Sequence, residues 1–141
     1  MAKKVSELMS KQPIRLQLSA PVIEAAQQMQ RANVGAVIVE DDTGKPRGIL
    51  TDRDIALRVV AQGRNPATTP LSEVCSSELM TLSPDDDLEL AIQVMRDRAV
   101  RRLLIVDAQH EAVGVLSLGD LAIARDAHSV LGHISAAPPN N

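Results

Sequence analysis

The sequence repeats itself without a gap at a spacing of 66 residues, and this repetition limits the possible folds more than any other feature. The matches extend over about fifty positions and fall on turn residues as well as apolar ones, which indicates an internal duplication. A unit of about 60 residues buries its apolar surface poorly by itself, so we expect the two copies to pack against each other. The identical pairs include Ser6/Ser72, Leu16/Leu82, Ala25/Ala91, Met29/Met95, Asp41/Asp107, Gly48/Gly114, Leu50/Leu116 and Asp54/Asp120.

Each copy shows the pattern of a strand, a helix, two strands and a second helix. Val22, Ala25 and Met29 lie at helical spacing, and Ala36 to Val39 is a continuous β-rich run that a turn follows. The predicted fold class is α/β (α+β), with two tandem β-α-β-β-α repeats packed about a pseudo-twofold axis. The predicted boundaries are 5–61 for the first repeat, 62–70 for the linker, 71–126 for the second repeat and 127–141 for a C-terminal segment with a loose tail.

Composition excludes several classes of partner. The formal net charge of -3 leaves no excess of cations for a phosphate backbone, and the absence of Phe, Tyr and Trp removes the usual platform for stacking bases. No apolar run approaches the ~20 residues of a membrane span. The single cysteine, Cys75, cannot form an internal disulfide. We therefore expect a cytoplasmic protein that binds neither nucleic acid nor membrane.

The strongest local motif runs from Gly48 to Asp54 and returns from Gly114 to Asp120. In both copies a glycine on a strand precedes a hydroxyl residue at the strand-to-helix junction, and a carboxylate follows three residues later. One interpretation is a capping box, in which the hydroxyl and the carboxylate satisfy free amides of the first helical turn. The other is a ribose site, in which the carboxylate accepts the sugar hydroxyls beside a backbone opened by glycine. The two interpretations are compatible.

With these motifs, residues 5–126 resemble a tandem pair of CBS domains, named after cystathionine β-synthase and also called a Bateman module. The resemblance rests on the runs from Val34 to Asp41 and from Val100 to Asp107, each followed by its Gly-to-Asp motif. The stretch from Thr51 to Pro66 is similar to stand-alone bacterial proteins with two CBS domains. The resemblance implies two clefts between the repeats that take an adenosine-containing ligand, such as AMP, ADP, ATP, S-adenosylmethionine or NAD(H), with no required cofactor.

The resemblance also implies a role for individual positions. Ribose is expected at Thr51, Asp54, Ser117 and Asp120, phosphate at Arg53, Arg101 and Arg102, and adenine at Ile14, Leu16, Met80 and Leu82. Arginine suits phosphate because its fork of donors matches the phosphate oxygens. Gly119 stands where the first motif has Arg53, so we expect the first cleft to bind more tightly.

Neither a catalytic nucleophile nor a metal-ligand pattern is recognisable, so we predict a protein that is not an enzyme and holds no metal. His128 and His133 are interpreted as surface histidines. The main hypothesis is a ligand sensor whose state is read by an unidentified effector protein. The alternative is a structural or interaction protein of the same fold that binds no nucleotide. A homodimer is expected through partly covered apolar helix residues, namely Ile55, Leu57, Val59, Leu121 and Ile123.

Overall fold

The computed structural model describes residues 3–77 and 79–125, the last three of these by their backbone only. The chain divides into two compact units. The central unit contains residues 13–79, and the terminal unit combines residues 1–12 with the chain from residue 80 onward. The units and the sequence repeats divide the chain differently. Residues 5–12, which begin the first repeat, belong to the terminal unit with most of the second repeat, and residues 71–77, which begin the second repeat, belong to the central unit with most of the first. We call these two stretches the leading segments.

Seven strands and four α-helices form the regular structure of the described residues. Two 3-10 turns, Val5–Glu7 and Leu71–Glu73, and one π-helical turn, Ala56–Val60, accompany them. In chain order the strands and helices are β1 (Ser10–Lys11), β2 (Arg15–Gln17), α1 (Val22–Ala32), β3 (Ala36–Glu40), β4 (Pro46–Thr51), α2 (Asp52–Ile55), β5 (Thr81–Leu82), α3 (Leu88–Arg98), β6 (Arg102–Val106), β7 (Ala112–Ser117) and α4 (Leu118–Arg125). The predicted order of strand, helix, strand, strand and helix is confirmed in both repeats.

The central unit is built on a three-stranded sheet with the order β2-β3-β4. Strand β2 is parallel to β3, and β3 is antiparallel to β4. The apolar stripe of α1 meets one face of this sheet, as its helical periodicity requires. The resulting core consists of Val22, Ala25, Met29, Val37, Val39, Leu50, Val59, Leu71 and Val74.

The terminal unit repeats this arrangement and adds one strand at the edge. Its sheet has the order β1-β7-β6-β5, with β5 parallel to β6 and β6 antiparallel to β7. Strand β1, from the start of the chain, pairs antiparallel with β7. The core consists of Val5, Ala91, Met95, Leu103, Ile105, Leu116 and Leu121.

The two leading segments occupy equivalent places in the two units. Ser10 lies opposite Val115 in the terminal unit, and Ser76 bridges to Ile49 in the central unit. Both pairs are related by the same 66-residue shift as the sequence repeats. Val5 and Leu71, which begin the leading segments, are both fully buried. Each repeat therefore completes the core around the other repeat's sheet.

Hydrogen bonds fix the first leading segment in the terminal unit. The Val5 N–H donates to the Asp86 carbonyl at 2.9 Å, and the Leu88 N–H donates to the Lys3 carbonyl at 2.9 Å. The Lys4 ammonium pairs with the Asp87 carboxylate at 2.8 Å. This hydrogen bond to Asp87 raises the pKa of Lys4.

Some expectations about exposed residues need correction. Val59 is fully buried and Leu121 is only 6% exposed, because each lies in the core of its own unit. The prediction that they remain partly covered is therefore wrong, whereas Leu57 is 49% exposed. The Ile123 side chain, residues 127–141 and the two histidines at 128 and 133 lie outside the described residues. None of the described helices is long and apolar enough to cross a membrane.

The exchange of leading segments predicts where a core mutation acts. Leu71→Ala should lower the free energy of unfolding by about 2–5 kcal/mol, because it leaves a cavity in a fully buried site. We expect amide hydrogen exchange to accelerate first within residues 13–77, where Leu71 contributes to the core. Loss of protection confined to residues 80–125 would contradict this assignment, since those residues contain the rest of the second sequence repeat.

Candidate functional site

The first candidate site lies where β4 becomes α2. The Thr51 N–H donates to Oδ2 of Asp54 at 2.9 Å, and the Asp54 N–H donates to Oγ1 of Thr51 at 3.1 Å. This reciprocal pair is a capping box, so the structural interpretation of the motif is confirmed. Both residues are half-buried. The cap holds the carboxylate in a fixed orientation through Oδ2 and leaves Oδ1 outside the reciprocal pair.

The second candidate site has the same geometry at the junction of β7 and α4. The Ser117 N–H donates to Oδ2 of Asp120 at 2.9 Å, and the Asp120 N–H donates to Oγ of Ser117 at 3.1 Å. These residues are also half-buried. The two repeats therefore present a hydroxyl and a carboxylate in matching positions, although one hydroxyl belongs to threonine and the other to serine.

Strand register places the predicted adenine-lining segments at the same end of the sheet as the caps. In the central unit, Ala36 at the start of β3 lies opposite Thr51 at the end of β4. The Ile38 N–H donates to the Ile14 carbonyl at 2.8 Å, which fixes Ile14 just before β2. In the terminal unit, the Leu104 N–H donates to the Met80 carbonyl at 3.0 Å. Each unit thus combines one cap with one strand start.

The four predicted adenine-lining side chains are only partly available to a ligand. Ile14 and Leu16 are half-buried and pack against the central core, and Met80 and Leu82 pack in the same way against the terminal core. A ligand would therefore meet the outer part of each side chain, with the rest held by the core. This arrangement gives a firm apolar wall that needs little reordering on binding.

The predicted phosphate partners fall into two groups. Arg102 lies directly opposite Ser117 on the neighbouring strand, and the Arg101 carbonyl accepts the Leu118 N–H at 2.8 Å. Both arginines therefore lie beside the second cap. Arg53 is exposed in the first turn after Thr51, and its backbone N–H donates to Oδ1 of Asp52 at 2.8 Å. The structure brings at least one arginine to each cap.

Comparison with known proteins identifies the family. The model of the CBS domain matches the chain twice, at residues 5–61 and 71–127. The chain belongs to the CBS domain family. It is 46% identical over 119 residues to the CBS domain-containing protein YhcV of Bacillus subtilis, which corresponds to 84% of this chain and 83% of that protein.

Solved structures of CBS proteins share this fold. The CBS domain protein PAE2072 from Pyrobaculum aerophilum, complexed with AMP, is 27% identical and matches with a TM-score of 0.77 over 94% of this chain and 96% of that one. The CBS domain pair of protein MJ0100, in complex with 5′-methylthioadenosine and S-adenosyl-L-methionine, is 22% identical with a TM-score of 0.81 over 92% of this chain and 100% of that one. The latter likeness establishes the fold alone.

The sequence analysis missed a cation near the first CBS cap. Arg58 Nη2 lies 3.9 Å from Oδ1 of Asp54, and Arg58 Nη1 donates to the Val74 carbonyl at 2.8 Å. Arg58 thus links the cap to the leading segment of the second CBS repeat. The spacing of four residues from Asp54 was the available signal, because such pairs are neighbours on a helical surface. The second repeat has alanine at the equivalent position, Ala124.

The motif glycines serve packing, which corrects their interpretation as an opening for the ligand. A Cβ atom at Gly48 would lie 2.7 Å from the Ser76 carbonyl oxygen and 2.8 Å from Sγ of Cys75. A Cβ atom at Gly114 would lie 2.5 Å from Sδ of Met9. The space above each glycine is therefore filled by a leading segment, and only a residue without a side chain permits this close approach.

Cys75 has the environment of a structural residue. Its thiol is half-buried, and burial raises its pKa, so it stays protonated at neutral pH. Among the described residues, no group of three or more His, Cys, Asp or Glu side chains is arranged to hold a metal ion.

The contacts around the motif glycines predict how much each glycine-to-alanine substitution lowers the free energy of unfolding. Gly48→Ala should lower the free energy of unfolding by about 1–3 kcal/mol, because the Ser76 carbonyl belongs to the backbone and must shift. Gly114→Ala should cost less, since its contacts under 3.0 Å are to the Met9 side chain and the nearest backbone atom, the Ser10 carbonyl oxygen, is 3.0 Å away. Urea denaturation of both variants measures the difference.

Gly119→Ala is the matched control for this comparison. A Cβ atom there meets only Oγ of Ser117 at 3.6 Å, so no steric cost arises. We expect this variant to be neutral or more stable by about 0.4–1 kcal/mol, since alanine restricts the unfolded chain. If Gly48→Ala were as stable as Gly119→Ala, the leading segment would not pack against Gly48 as described.

Proposed function

We propose that this CBS pair is a non-enzymatic regulatory module that binds an adenosine-containing ligand, such as AMP, ADP or ATP. The observation that supports the proposal is that matching caps hold the carboxylates of Asp54 and Asp120 in the same orientation. In both, Oδ2 is used by the cap and Oδ1 lies outside it. Oδ1 of Asp54 faces the Arg58 guanidinium at 3.9 Å. The likeness to the AMP complex of PAE2072 supports the choice of ligand class.

Ribose recognition follows from the chemistry of the caps. An ionised carboxylate offers several lone pairs and can accept hydrogen bonds from both hydroxyls of a ribose. Because the cap already fixes the carboxylate, binding costs little side-chain entropy. Thr51 and Ser117 complete the two ribose sites with their hydroxyl groups.

Adenine and phosphate are assigned to the surrounding residues. The outer surfaces of Ile14 and Leu16, or of Met80 and Leu82, take the base between apolar side chains. Arg53 at the first site and Arg101 with Arg102 at the second take the phosphates through charge-assisted hydrogen bonds. The ligand acts by favouring one state of the module, and the shift is limited by its differential affinity for the two states. An effector protein would detect that shift.

Melting in the presence of AMP, ADP, ATP, S-adenosylmethionine or NAD(H) tests the proposal. A ligand that binds the native state raises the melting temperature by mass action, by an amount that increases with its concentration. An increase with adenosine compounds and none with guanosine compounds is expected. No increase with any of them at millimolar concentration would favour the alternative, a structural or interaction protein of the CBS fold.

Calorimetric titration with AMP and ATP should separate the two sites. Asp54→Ala is expected to abolish the tighter site, and Asp120→Ala to affect a weaker one, because Arg53 follows the first cap directly while Gly119 replaces it at the second. A charge-assisted hydrogen bond of about 1.5–3 kcal/mol corresponds to an affinity difference of about ten- to a hundredfold. Equal losses in the two variants would refute this asymmetry.

Two controls separate binding from folding in that experiment. Loss of the cap should cost about 1 kcal/mol of stability or less, so both alanine variants should remain folded at 25 °C. Asp54→Asn keeps an oxygen that can accept the Thr51 N–H but removes the charge. If Asp54→Asn binds AMP as tightly as the parent protein, the carboxylate does not hold the ribose.

We also propose a homodimer through the exposed residues Leu57 and Val60 of the π-helical turn. Val60 is 71% exposed and Leu57 is 49% exposed, and both belong to this turn. A second copy buries such a patch by a closed twofold contact. Light scattering should therefore give twice the chain mass of 15.1 kDa.

Single charged substitutions locate the dimer contact. Val60→Asp should give a monomer at micromolar concentration, because it buries an unpaired charge in the contact. Leu90→Asp is the control, since Leu90 is 41% exposed but lies on α3 of the terminal unit. A parent protein that scatters as a monomer at high micromolar concentration would exclude the dimer, and a monomer produced only by Leu90→Asp would place the contact elsewhere.

A further inference from the structure

The terminal unit contains a cavity of about 480 Å³, open to solvent, of which the proposed function uses only Arg101. It lies between α3, the start of β6 and the start of α4. Six apolar residues form most of its wall, and Met95 and Leu121 are the most deeply buried of them. The others are Ile92, Ala99, Val100 and Leu118. Its volume lies within the range of about 300–1,000 Å³ that is usual for small-molecule pockets.

Among the residues that the structure describes, Arg96 and Arg101 are the only charged ones that line this cavity. Both are exposed, and neither makes an ion pair with a residue that the structure describes. No carboxylate lines the cavity among the described residues. The cavity therefore combines an apolar wall with two unneutralised cations.

The first CBS repeat provides an internal comparison, because it has the same backbone order and a different set of side chains. At the shift of 66 residues, Arg96 corresponds to Gln30 and Arg101 corresponds to Gly35. Leu118 corresponds to Asp52, which is exposed at the start of α2. The second repeat thus has two cations and an apolar residue where the first has two neutral residues and an anion. All three of these residues of the second repeat line the cavity.

We propose that this cavity binds an anionic amphiphile, a molecule with a carboxylate or phosphate head and an unbranched aliphatic body. The two guanidinium groups hold the head by charge-assisted hydrogen bonds, for which arginine has the favourable fork geometry. The aliphatic body displaces water from the wall formed by Met95, Leu121 and their apolar neighbours. This assignment does not rest on the proposed nucleotide function, since the cavity lining includes neither Ser117 nor Asp120.

Arg101 links the cavity to the second nucleotide site, and this part of the inference does rest on the proposed function. If Arg101 also holds a nucleotide phosphate, the two ligands compete for one guanidinium group. Each then weakens the binding of the other by the same factor.

Calorimetric titration of the full chain with hexanoate, octanoate and decanoate, without nucleotide, tests the cavity. We expect binding of one equivalent per chain and a tightening with each added methylene of up to about fourfold, the value for full burial, until the cavity is filled. Octyl phosphate should bind as well, whereas inorganic phosphate, which lacks the apolar body, should bind at least tenfold more weakly. Decanol should also bind at least tenfold more weakly than decanoate, because it lacks the charge. Equal affinity for decanol and decanoate would overturn the role of the arginines.

The first repeat suggests the variants for this test. Arg96→Gln and Arg101→Gly introduce residues that occupy the equivalent positions of the first repeat, so the fold should be retained. We expect each to weaken decanoate binding about tenfold or more, and Leu118→Asp to abolish it. Melting temperatures close to that of the parent protein establish that the variants are folded.

A matched variant keeps the proposal open to refutation. Arg98→Gln removes an exposed arginine of the same helix that does not line the cavity, and it should bind decanoate like the parent protein. If Arg98→Gln weakens decanoate binding as much as Arg96→Gln does, the attraction is a general charge effect and the proposal is wrong.

Discussion

The close approach of each leading segment to a motif glycine is the contact on which the rest of the structure depends. Cys75 and Ser76 occupy the space above Gly48, and Met9 does so above Gly114. The same segments bring Val5 and Leu71 into the two cores, where both are fully buried. They also pair with the outer strand of each sheet and thereby cover an edge that would otherwise be open to association. Neither sequence repeat has a complete core without the other.

The proposed ligand sites use the same carboxylates that cap the two helices. The caps at Asp54 and Asp120 satisfy free amides at the helix starts, so they stabilise the fold whether or not a ligand is bound. The same caps orient each carboxylate through Oδ2 and leave Oδ1 outside the cap, where Arg58 faces it in Asp54. A binding site of this kind needs no additional scaffold, because the strand-to-helix junction already holds its polar groups in place.

The two units have equivalent backbones but different surroundings for any ligand. In the central unit, Arg15 Nε pairs with Oε2 of Glu40 at 2.9 Å, and Glu40 is only 7% exposed. The equivalent residues of the terminal unit are Thr81 and Val106, which cannot form an ion pair. Together with Arg96 and Arg101 in the terminal unit, this difference gives one duplicated fold two distinct chemical environments.

The sequence by itself determined the order of elements, the two caps and the family, because each depends on residues close together in the chain. Helical spacing in Val22 to Met29 and the three-residue distance from Thr51 to Asp54 are local signals. Only the tertiary structure decided which sheet receives each leading segment, what fills the space above Gly48, and that Val59 and Leu121 are buried. Those features depend on contacts between residues far apart in the chain, such as Val5 with the core around Leu116, and local periodicity does not record such contacts.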